Sequence, residues 1–137
     1  MTSQAAVKKR HESTRPLNVL IVDDEASVRT LIKATLRSAA VPCEVSEAAD
    51  GDGALEMARR TPPDLVFLDI VLPGSSVSGV LVCQELCKKA ETKVIVISGK
   101  ASDAAIEGCL WAGAADSVRK PFSVPELRSK LEEWLSG

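Results

Sequence analysis

The chain has 137 residues, of which 45% are hydrophobic, and 17 basic against 19 acidic side chains leave a net charge of −2. This size and composition suit a single domain with a buried core. No basic stripe with interleaved aromatic residues occurs, which argues against nucleic-acid binding. No apolar run approaches the roughly 18 residues of a membrane span, and the first residues lack the apolar region that is typical of a secretory signal. We therefore expect a cytoplasmic protein without a membrane partner.

Hydrophobic periodicity divides the chain into a tail and one domain. Residues 1–16 are polar and aperiodic, which predicts a disordered N-terminal extension, and the domain is expected to occupy residues 17–137. Within it, short apolar runs alternate with amphipathic segments. The predicted strands cover residues 18–22, 43–48, 65–69, 93–98 and 116–119. The predicted helices cover residues 26–39, 54–60, 80–89, 103–112 and 125–135, and residues 50–53 are predicted as a turn.

Five strands alternating with five helices predict a doubly wound α/β domain of the flavodoxin-like (βα)5 type. Its five-stranded parallel sheet is expected to have the strand order 2-1-3-4-5, with right-handed crossovers. In that order the C-terminal ends of the strands meet at one edge. Polar residues follow those ends: Asp23, Asp24, Asp69, Ser98 and Lys120.

Three converging carboxylates repel one another unless a cation lies between them. Mg²⁺ suits a site with two or three carboxylates that leaves room for water and phosphoryl oxygens. Lys120 would add a second positive charge, and Ser98 would add a hydroxyl donor. The cluster therefore predicts a site that stabilises negative charge on a phosphoryl group beside a carboxylate.

Each of these residues also has a plainer interpretation. Asp24 could be a helix N-cap, Ser98 could belong to an ordinary turn, and Lys120 could be a solvated loop residue. Their joint placement at the ends of adjacent strands favours the functional interpretation.

The sequence resembles the receiver domain of a two-component response regulator from about Asn18 to Leu135. Each matching motif is weak alone, but the set is specific in this order and spacing. The motifs are Val19-Leu20-Ile21-Val22-Asp23-Asp24-Glu25, Asp64-Leu65-Val66-Phe67-Leu68-Asp69-Ile70 with Pro73-Gly74, Ile95-Val96-Ile97-Ser98-Gly99, Ala112-Gly113-Ala114 and Lys120-Pro121-Phe122.

The resemblance implies that Asp69 accepts a phosphoryl group from a sensor histidine kinase or a phosphotransfer protein. Ser98 would hydrogen-bond a phosphoryl oxygen, and Lys120 would pair with the phosphoaspartate. Such a domain is not an enzyme with a separate substrate, although it assists its own phosphoryl transfer and dephosphorylation. The implied Mg²⁺ ligands are Asp23, Asp24, Asp69 and the backbone carbonyl of Val71.

In this family the phosphorylated state is read on the face formed by helix 4, strand 5 and helix 5. We expect an output protein or domain to bind there, and the same face is the first place to look for a homodimer. Two residues of that region depart from the family pattern. Ser117 stands where the family usually has an aromatic switch residue, and Trp111 either packs partly against helix 5 or serves as an anchor on the output face.

The loop after Asp69 also departs from the pattern, because residues 73–79 form a longer segment with three serines. Val71 and Lys100 lie two residues beyond Asp69 and Ser98, positions that flank the phosphoryl group in this family. An apolar Val71 and a cationic Lys100 should hinder the attacking water, which predicts a persistent phosphoaspartate.

Other classes fit the sequence less well. A flavin mononucleotide binder of the same fold would need a phosphate loop after strand 1, where the acids Asp23 and Asp24 would repel phosphate. A haloacid-dehalogenase-type phosphatase would need a second acid at Val71. The remaining alternative is a degenerate receiver that acts as a phosphorylation-independent interaction module, which Ser117 and the long loop favour.

The four cysteines form no CxxC pair and no regular framework, so we interpret them as small buried hydrophobic residues. Cys83 and Cys87 lie four residues apart on a predicted helix and could share a face. A soft-metal pair is the alternative interpretation of these two thiols.

Overall fold

The computed structural model describes residues 15–136, which form an alternating α/β domain. The strands are Leu17–Val22 (β1), Cys43–Ala48 (β2), Leu65–Leu68 (β3), Lys93–Ser98 (β4) and Asp116–Arg119 (β5). The helices are Ala26–Ser38 (α1), Gly51–Arg60 (α2), Gly79–Leu86 (α3), Asp103–Ala112 (α4) and Val124–Ser136 (α5). Residues 1–14 of the predicted extension lie outside the described residues.

The five strands form one parallel sheet in the order β2-β1-β3-β4-β5, which confirms the predicted topology. The register sets the relative heights of the strand ends. Val22 pairs with Leu68, and Leu68 pairs with Val96. Because Asp23 and Asp69 each follow a paired residue, the register brings them to the same height on neighbouring strands.

Helices cover both faces of the sheet, as expected for a doubly wound domain. All four residues of β3 are buried, and they alternate between the two faces. Leu65 and Phe67 pack with α1 and α5 on one side, where Leu36 and Leu131 are part of the same cluster. The other side of β3 packs with α2, α3 and α4. Burial on both faces explains why β3 reads as a continuous apolar run.

The structure moves two predicted helix boundaries by three residues and four others by one residue. Helix α2 begins at Gly51, so the turn predicted for residues 50–53 is wrong. Asp50 is the N-cap and its side chain accepts a hydrogen bond from the Gly53 amide, which lets the glycines enter the first turn. A Cβ on Gly51 would lie 2.7 Å from both Ser75 Oγ and a methyl carbon of Val82, so glycine permits this close approach.

Helix α3 ends at Leu86 rather than at Lys89 as predicted. The last buried residue of its helical face is Leu86, and the next positions of that face, Lys89 and Ala90, are exposed. Without an apolar residue to pack beyond Leu86, the chain turns towards β4 instead of continuing the helix.

All four cysteines are free thiols, but only two of them are buried as predicted. Cys83 and Cys109 are buried between α3 and α4, while Cys43 and Cys87 are half-buried. Cys83 Sγ lies 3.9 Å from Cys87 Sγ. Among the described residues, the one cluster with metal-ligand geometry contains carboxylates and no thiol, so the soft-metal alternative is not supported.

A search of the described residues for membrane spans finds no helix with the length and apolar character that crossing a bilayer requires.

Candidate functional site

Backbone hydrogen bonds hold the site residues at the C-terminal edge of the sheet. The Asp69 amide donates to the Val22 carbonyl (2.9 Å), and the Lys120 amide donates to the Ser98 carbonyl (3.0 Å). The Asp23 amide donates to the Ala48 carbonyl at 3.0 Å. These bonds extend the parallel ladders by one residue past each strand, so rigid elements position the side chains that follow.

Lys120 lies at the centre of the acidic cluster. Its ammonium nitrogen is 3.0 Å from Asp69 Oδ2, 2.8 Å from Asp23 Oδ2 and 3.3 Å from Glu25 Oε1. Only 15% of the Lys120 side chain is exposed, so it is not the solvated loop lysine of the plainer interpretation. Burial works against its charge, but the bonds to Asp23 and Asp69 outweigh burial and raise the pKa of Lys120 above its usual range.

Asp69 is buried and has few hydrogen-bond partners. Its Oδ1 atom accepts a hydrogen bond from the Val71 amide at 2.8 Å, and Lys120 reaches its Oδ2 atom. Burial raises the pKa of Asp69, and the neighbouring charge of Asp23 adds to the rise. The Val71 amide and Lys120 oppose the change without cancelling it.

Asp23 shows why a cation fits this cluster. Its Oδ1 atom accepts a hydrogen bond from the Glu25 amide at 2.8 Å. Its Oδ2 atom is fully buried and lies 2.8 Å from the Lys120 ammonium, which Asp69 and Glu25 share. One lysine leaves these three acids with a net negative charge, so a further cation would stabilise the cluster.

The third carboxylate completes a possible ligand set. Asp23, Asp24 and Asp69 each offer an oxygen within 4.8 Å of the others. Asp24 is exposed, and the N-cap position of α1 belongs to Glu25, so the N-cap interpretation of Asp24 is wrong. Hard oxygen ligands at these separations suit Mg²⁺, and the exposed Asp24 leaves this side of the cluster open to solvent.

Ser98 ends β4 and is almost fully buried. Its hydroxyl oxygen accepts a hydrogen bond from the Ala101 amide at 3.0 Å, so Ser98 does belong to a turn, as the plainer interpretation predicted. The same bond leaves the hydroxyl proton available for another acceptor. Ser98 can therefore stabilise the turn and still act as a donor.

An open cleft of about 650 Å³ lies over the cluster. Asp24, Asp69, Val71, Lys100 and Lys120 all line it. The two residues that were predicted to flank the phosphoryl group, Val71 and Lys100, therefore face the same space as the acids and the lysine. The cleft therefore connects the Asp69 carboxylate to solvent.

Two residues that matter at this edge were not predicted from the sequence. Glu25 is a third acidic partner of Lys120, and Arg119 donates to the Ala101 carbonyl and to Asp103. The signal for Glu25 was its position directly after the acidic pair Asp23 and Asp24. Nothing in the pattern indicated the role of Arg119.

The two residues that depart from the family pattern on the output face, Ser117 and Trp111, differ in their surroundings. Ser117 is half-buried in β5, where it pairs with Val96. Trp111 is 90% exposed, so the predicted partial packing against α5 is wrong. The anchor interpretation is the one that remains for Trp111.

Comparison with known proteins identifies the family of this chain. The family model described as "Response regulator receiver domain" matches residues 19–132. The chain belongs to this family. It is thus the receiver domain of a two-component response regulator, and receivers generally use Mg²⁺ at an acidic site like the one formed by the three aspartates.

Curated relatives include a "Probable transcriptional regulator ycf27" from the alga Porphyridium aerugineum, which is 35% identical over 117 residues. The protein of that name from Porphyra purpurea is 39% identical over 119 residues. These matches cover 85% of this chain but 47% and 46% of the relatives. The chain spans about half the length of the curated relatives it matches.

Solved structures agree with the fold. The receiver domain of NtrX from Brucella abortus superposes with a TM-score of 0.75 and 35% identity, covering 85% of this chain and 97% of that one. A CheY-like receiver domain protein from Methanospirillum hungatei gives a TM-score of 0.78 at 28% identity, with coverage of 88% and 94%.

Proposed function

We propose that this receiver accepts a phosphoryl group on Asp69 from the phosphohistidine of a sensor histidine kinase or a phosphotransfer protein. The observation that carries the proposal is the position of the Asp69 carboxylate, which is buried beneath an open cleft and beside Lys120 and two further aspartates. Burial raises the pKa of Asp69 by more than the Val71 amide and Lys120 lower it, and perturbed carboxylates of this kind cluster at functional sites.

The transfer is a substitution at phosphorus. An Asp69 carboxylate oxygen attacks the phosphorus atom, the phosphorus–nitrogen bond breaks, and the imidazole nitrogen keeps the bonding electron pair. Negative charge on the phosphoryl oxygens is stabilised by the Lys120 ammonium and by the Ser98 hydroxyl proton. Lys120 is already held at this position by its ion pairs, so little reorganisation is required.

Asp23, Asp24, Asp69 and the backbone carbonyl of Val71 would hold Mg²⁺. When bound, the ion neutralises the repulsion between the carboxylates and part of the phosphoryl charge. The single lysine shared by Asp23, Asp69 and Glu25 and the mutual proximity of the three aspartate carboxylates support this assignment.

Metal binding has a test that requires no phosphorylation. Because a ligand that binds only the folded state raises stability, Mg²⁺ should raise the thermal midpoint of the native chain. Asp24→Asn should weaken that response, since the exposed Asp24 carboxylate contributes little else to the fold. An equal Mg²⁺ response in Asp24→Asn and the native chain would contradict the ligand assignment.

In this proposal the chain is not an enzyme with a separate substrate, and its product is its own phosphorylated form. The face formed by α4, β5 and α5 transmits the change to an output partner or to a second copy of the chain. The exposed indole of Trp111 on α4 supports a contact on this face. Trp111→Ala should weaken self-association of the phosphorylated chain in sedimentation experiments.

The deciding experiment is intact mass after incubation with a small-molecule phosphodonor, with and without Mg²⁺. We expect one Mg²⁺-dependent phosphoryl adduct on the native chain and none on Asp69→Asn. Asp52→Asn is the matched control, because Asp52 is an exposed acid that binds Ser76 away from the cleft. It should form the adduct normally.

The absence of an adduct on the folded native chain would contradict the proposal. It would favour a phosphorylation-independent interaction module, the alternative that Ser117 and the long loop suggested.

A further inference from the structure

Arg119, the last residue of β5, reaches across to the loop that follows β4. Its guanidinium donates to the Ala101 carbonyl oxygen at 2.9 Å and to Asp103 Oδ1 at 2.6 Å. Arg119 also lies opposite Ser98 in the β4–β5 register. The side chain therefore links the end of β5 to the segment between the Ser98 hydroxyl and the first turn of α4.

The backbone amide and the backbone carbonyl of Ala101 are both hydrogen-bonded to side chains. Its amide donates to Ser98 Oγ at 3.0 Å, and its carbonyl accepts from Arg119. Ala101 is itself buried. A shift of this residue would change the hydrogen bond to Ser98 Oγ, and that bond determines where the remaining hydroxyl proton can point.

We propose that Arg119 is a positioning residue for the Ser98 hydroxyl. By fixing Ala101 through its carbonyl, Arg119 keeps the Ala101 amide on Ser98 Oγ and so directs the Ser98 proton towards the phosphoryl group on Asp69. This inference rests on the proposed function, since the hydroxyl has a phosphoryl partner only if Asp69 is phosphorylated.

The contact to Asp103 gives Arg119 its orientation. Asp103 stands in the first turn of α4 and its side chain is 94% exposed, so it contributes little to the core. One guanidinium that binds both Asp103 and the Ala101 carbonyl ties the start of α4 to the Ser98 turn. A chain with Ser117 in place of an aromatic switch residue thus has another connection between the site and α4.

The experiment compares Arg119→Gln with Arg128→Gln. Both arginine side chains are 48% exposed and pair with an acid, but Arg128 pairs with Glu132 along α5. We expect Arg119→Gln to slow formation of the Asp69 adduct by about three- to tenfold, as for the loss of a coupled contact. Arg128→Gln should leave the rate unchanged, and Arg119→Lys should restore part of it because one donor remains.

A double-mutant cycle distinguishes positioning from a general structural effect. In a Ser98→Ala background, Arg119→Gln should have no further effect on the rate, because no hydroxyl remains to be positioned. An equal loss in both backgrounds, or no loss in the native background, would overturn the inference.

Hydrogen exchange of the Ala101 amide provides a readout that needs no phosphoryl donor. Arg119→Gln should speed this exchange, and Asp103→Asn should do so to a smaller extent. Unchanged exchange in Arg119→Gln would also overturn the inference. If Ala101 responds as expected but the native chain forms no adduct, the proposed function fails first and the positioning role falls with it.

Discussion

The two ends of β3 each have a buried aspartate, and the two residues have different surroundings. Asp64 precedes the strand and Asp69 follows it, with 8% and 5% of their surfaces exposed. Asp64 accepts hydrogen bonds from both terminal nitrogens of Arg15, at 3.1 and 3.2 Å, and from the Asn18 amide at 2.8 Å. Three donors thus approach its two oxygens.

Asp69 has fewer donors and more acidic neighbours. One backbone amide and one lysine approach it, and that lysine is shared with Asp23 and Glu25. The difference shows how one strand supports two uses of the same residue type. A carboxylate with three donors stabilises the N-terminal edge of the sheet, and a carboxylate that shares its lysine with two other acids is available for chemistry at the C-terminal edge.

The largest expected effect on stability is at the N-terminal edge. Asp64→Ala should lower the free energy of unfolding by about 2 kcal/mol, because the Asn18 amide loses a charged acceptor. Denaturant titration measures the change. Arg15→Ala should cost less than about 1 kcal/mol, since roughly half of that side chain is exposed and such ion pairs contribute little.

The same variant also tests the division between the two edges. Folded Asp64→Ala should still form the Asp69 adduct at the native rate. If stability is unchanged, or if adduct formation fails in the folded variant, the two aspartates are not separated in the way described above.

Asp69→Asn should stabilise the fold, whereas Asp64→Ala should destabilise it. Burial raises the pKa of Asp69 in the folded state, so above that pKa the ionised carboxylate costs stability relative to the unfolded chain. The cost disappears as the pH falls below the ordinary aspartate pKa, where both states are protonated. Asp69→Asn should therefore raise the free energy of unfolding by about 1 kcal/mol at neutral pH.

The pH dependence is the sharper part of this prediction. The advantage of Asp69→Asn should shrink as the pH falls through the raised pKa of Asp69 and vanish near pH 3. Unfolding curves of both proteins between pH 3 and pH 8 measure it, without added Mg²⁺. A variant less stable than the native chain at neutral pH would mean that Lys120 compensates the Asp69 charge fully.

The strands and their order were predictable because the sequence encodes them locally. Residues 65–68 form a short apolar run bracketed by prolines and a polar turn. Such a run is too short for a helix and predicts a strand that is buried on both faces of a sheet. Once five alternating units are recognised, the parallel order and the common edge follow from topology. Asp23, Asp69 and Ser98 were found in this way.

The details of the site were less predictable because they depend on side-chain paths between distant segments. Glu25 and Lys120 lie 95 positions apart, and their contact exists only after β1 and β5 are placed. The Arg119 contacts depend on the course of the loop after Ser98. The start of α2 at Gly51 depends on how closely Ser75 packs against it. None of these contacts can be predicted from the spacing of residues along the sequence.

Trp111 shows the limit of reading burial from residue type. A tryptophan on a helix that packs against the sheet is expected to bury part of its area. Ile106 and Cys109 occupy the buried face of α4, and Trp111 extends from a different side of the helix. The position along the helix, rather than the hydrophobicity of the residue, decides its exposure.

The smallest expected effect concerns the lifetime of the phosphoaspartate. Lys100 is an exposed residue that lines the cleft over Asp69, where a long cationic side chain restricts the approach of water. Lys100→Ala should speed dephosphorylation about threefold, which corresponds to roughly 0.7 kcal/mol in the barrier. The decay of the adduct mass after removal of the phosphodonor measures the rate. Lys88→Ala is the control, because it removes an exposed lysine that pairs with Glu85 near the end of α3, and its adduct should decay at the native rate. An unchanged adduct lifetime in Lys100→Ala would mean that Val71 and the buried position of Asp69 limit water access without Lys100.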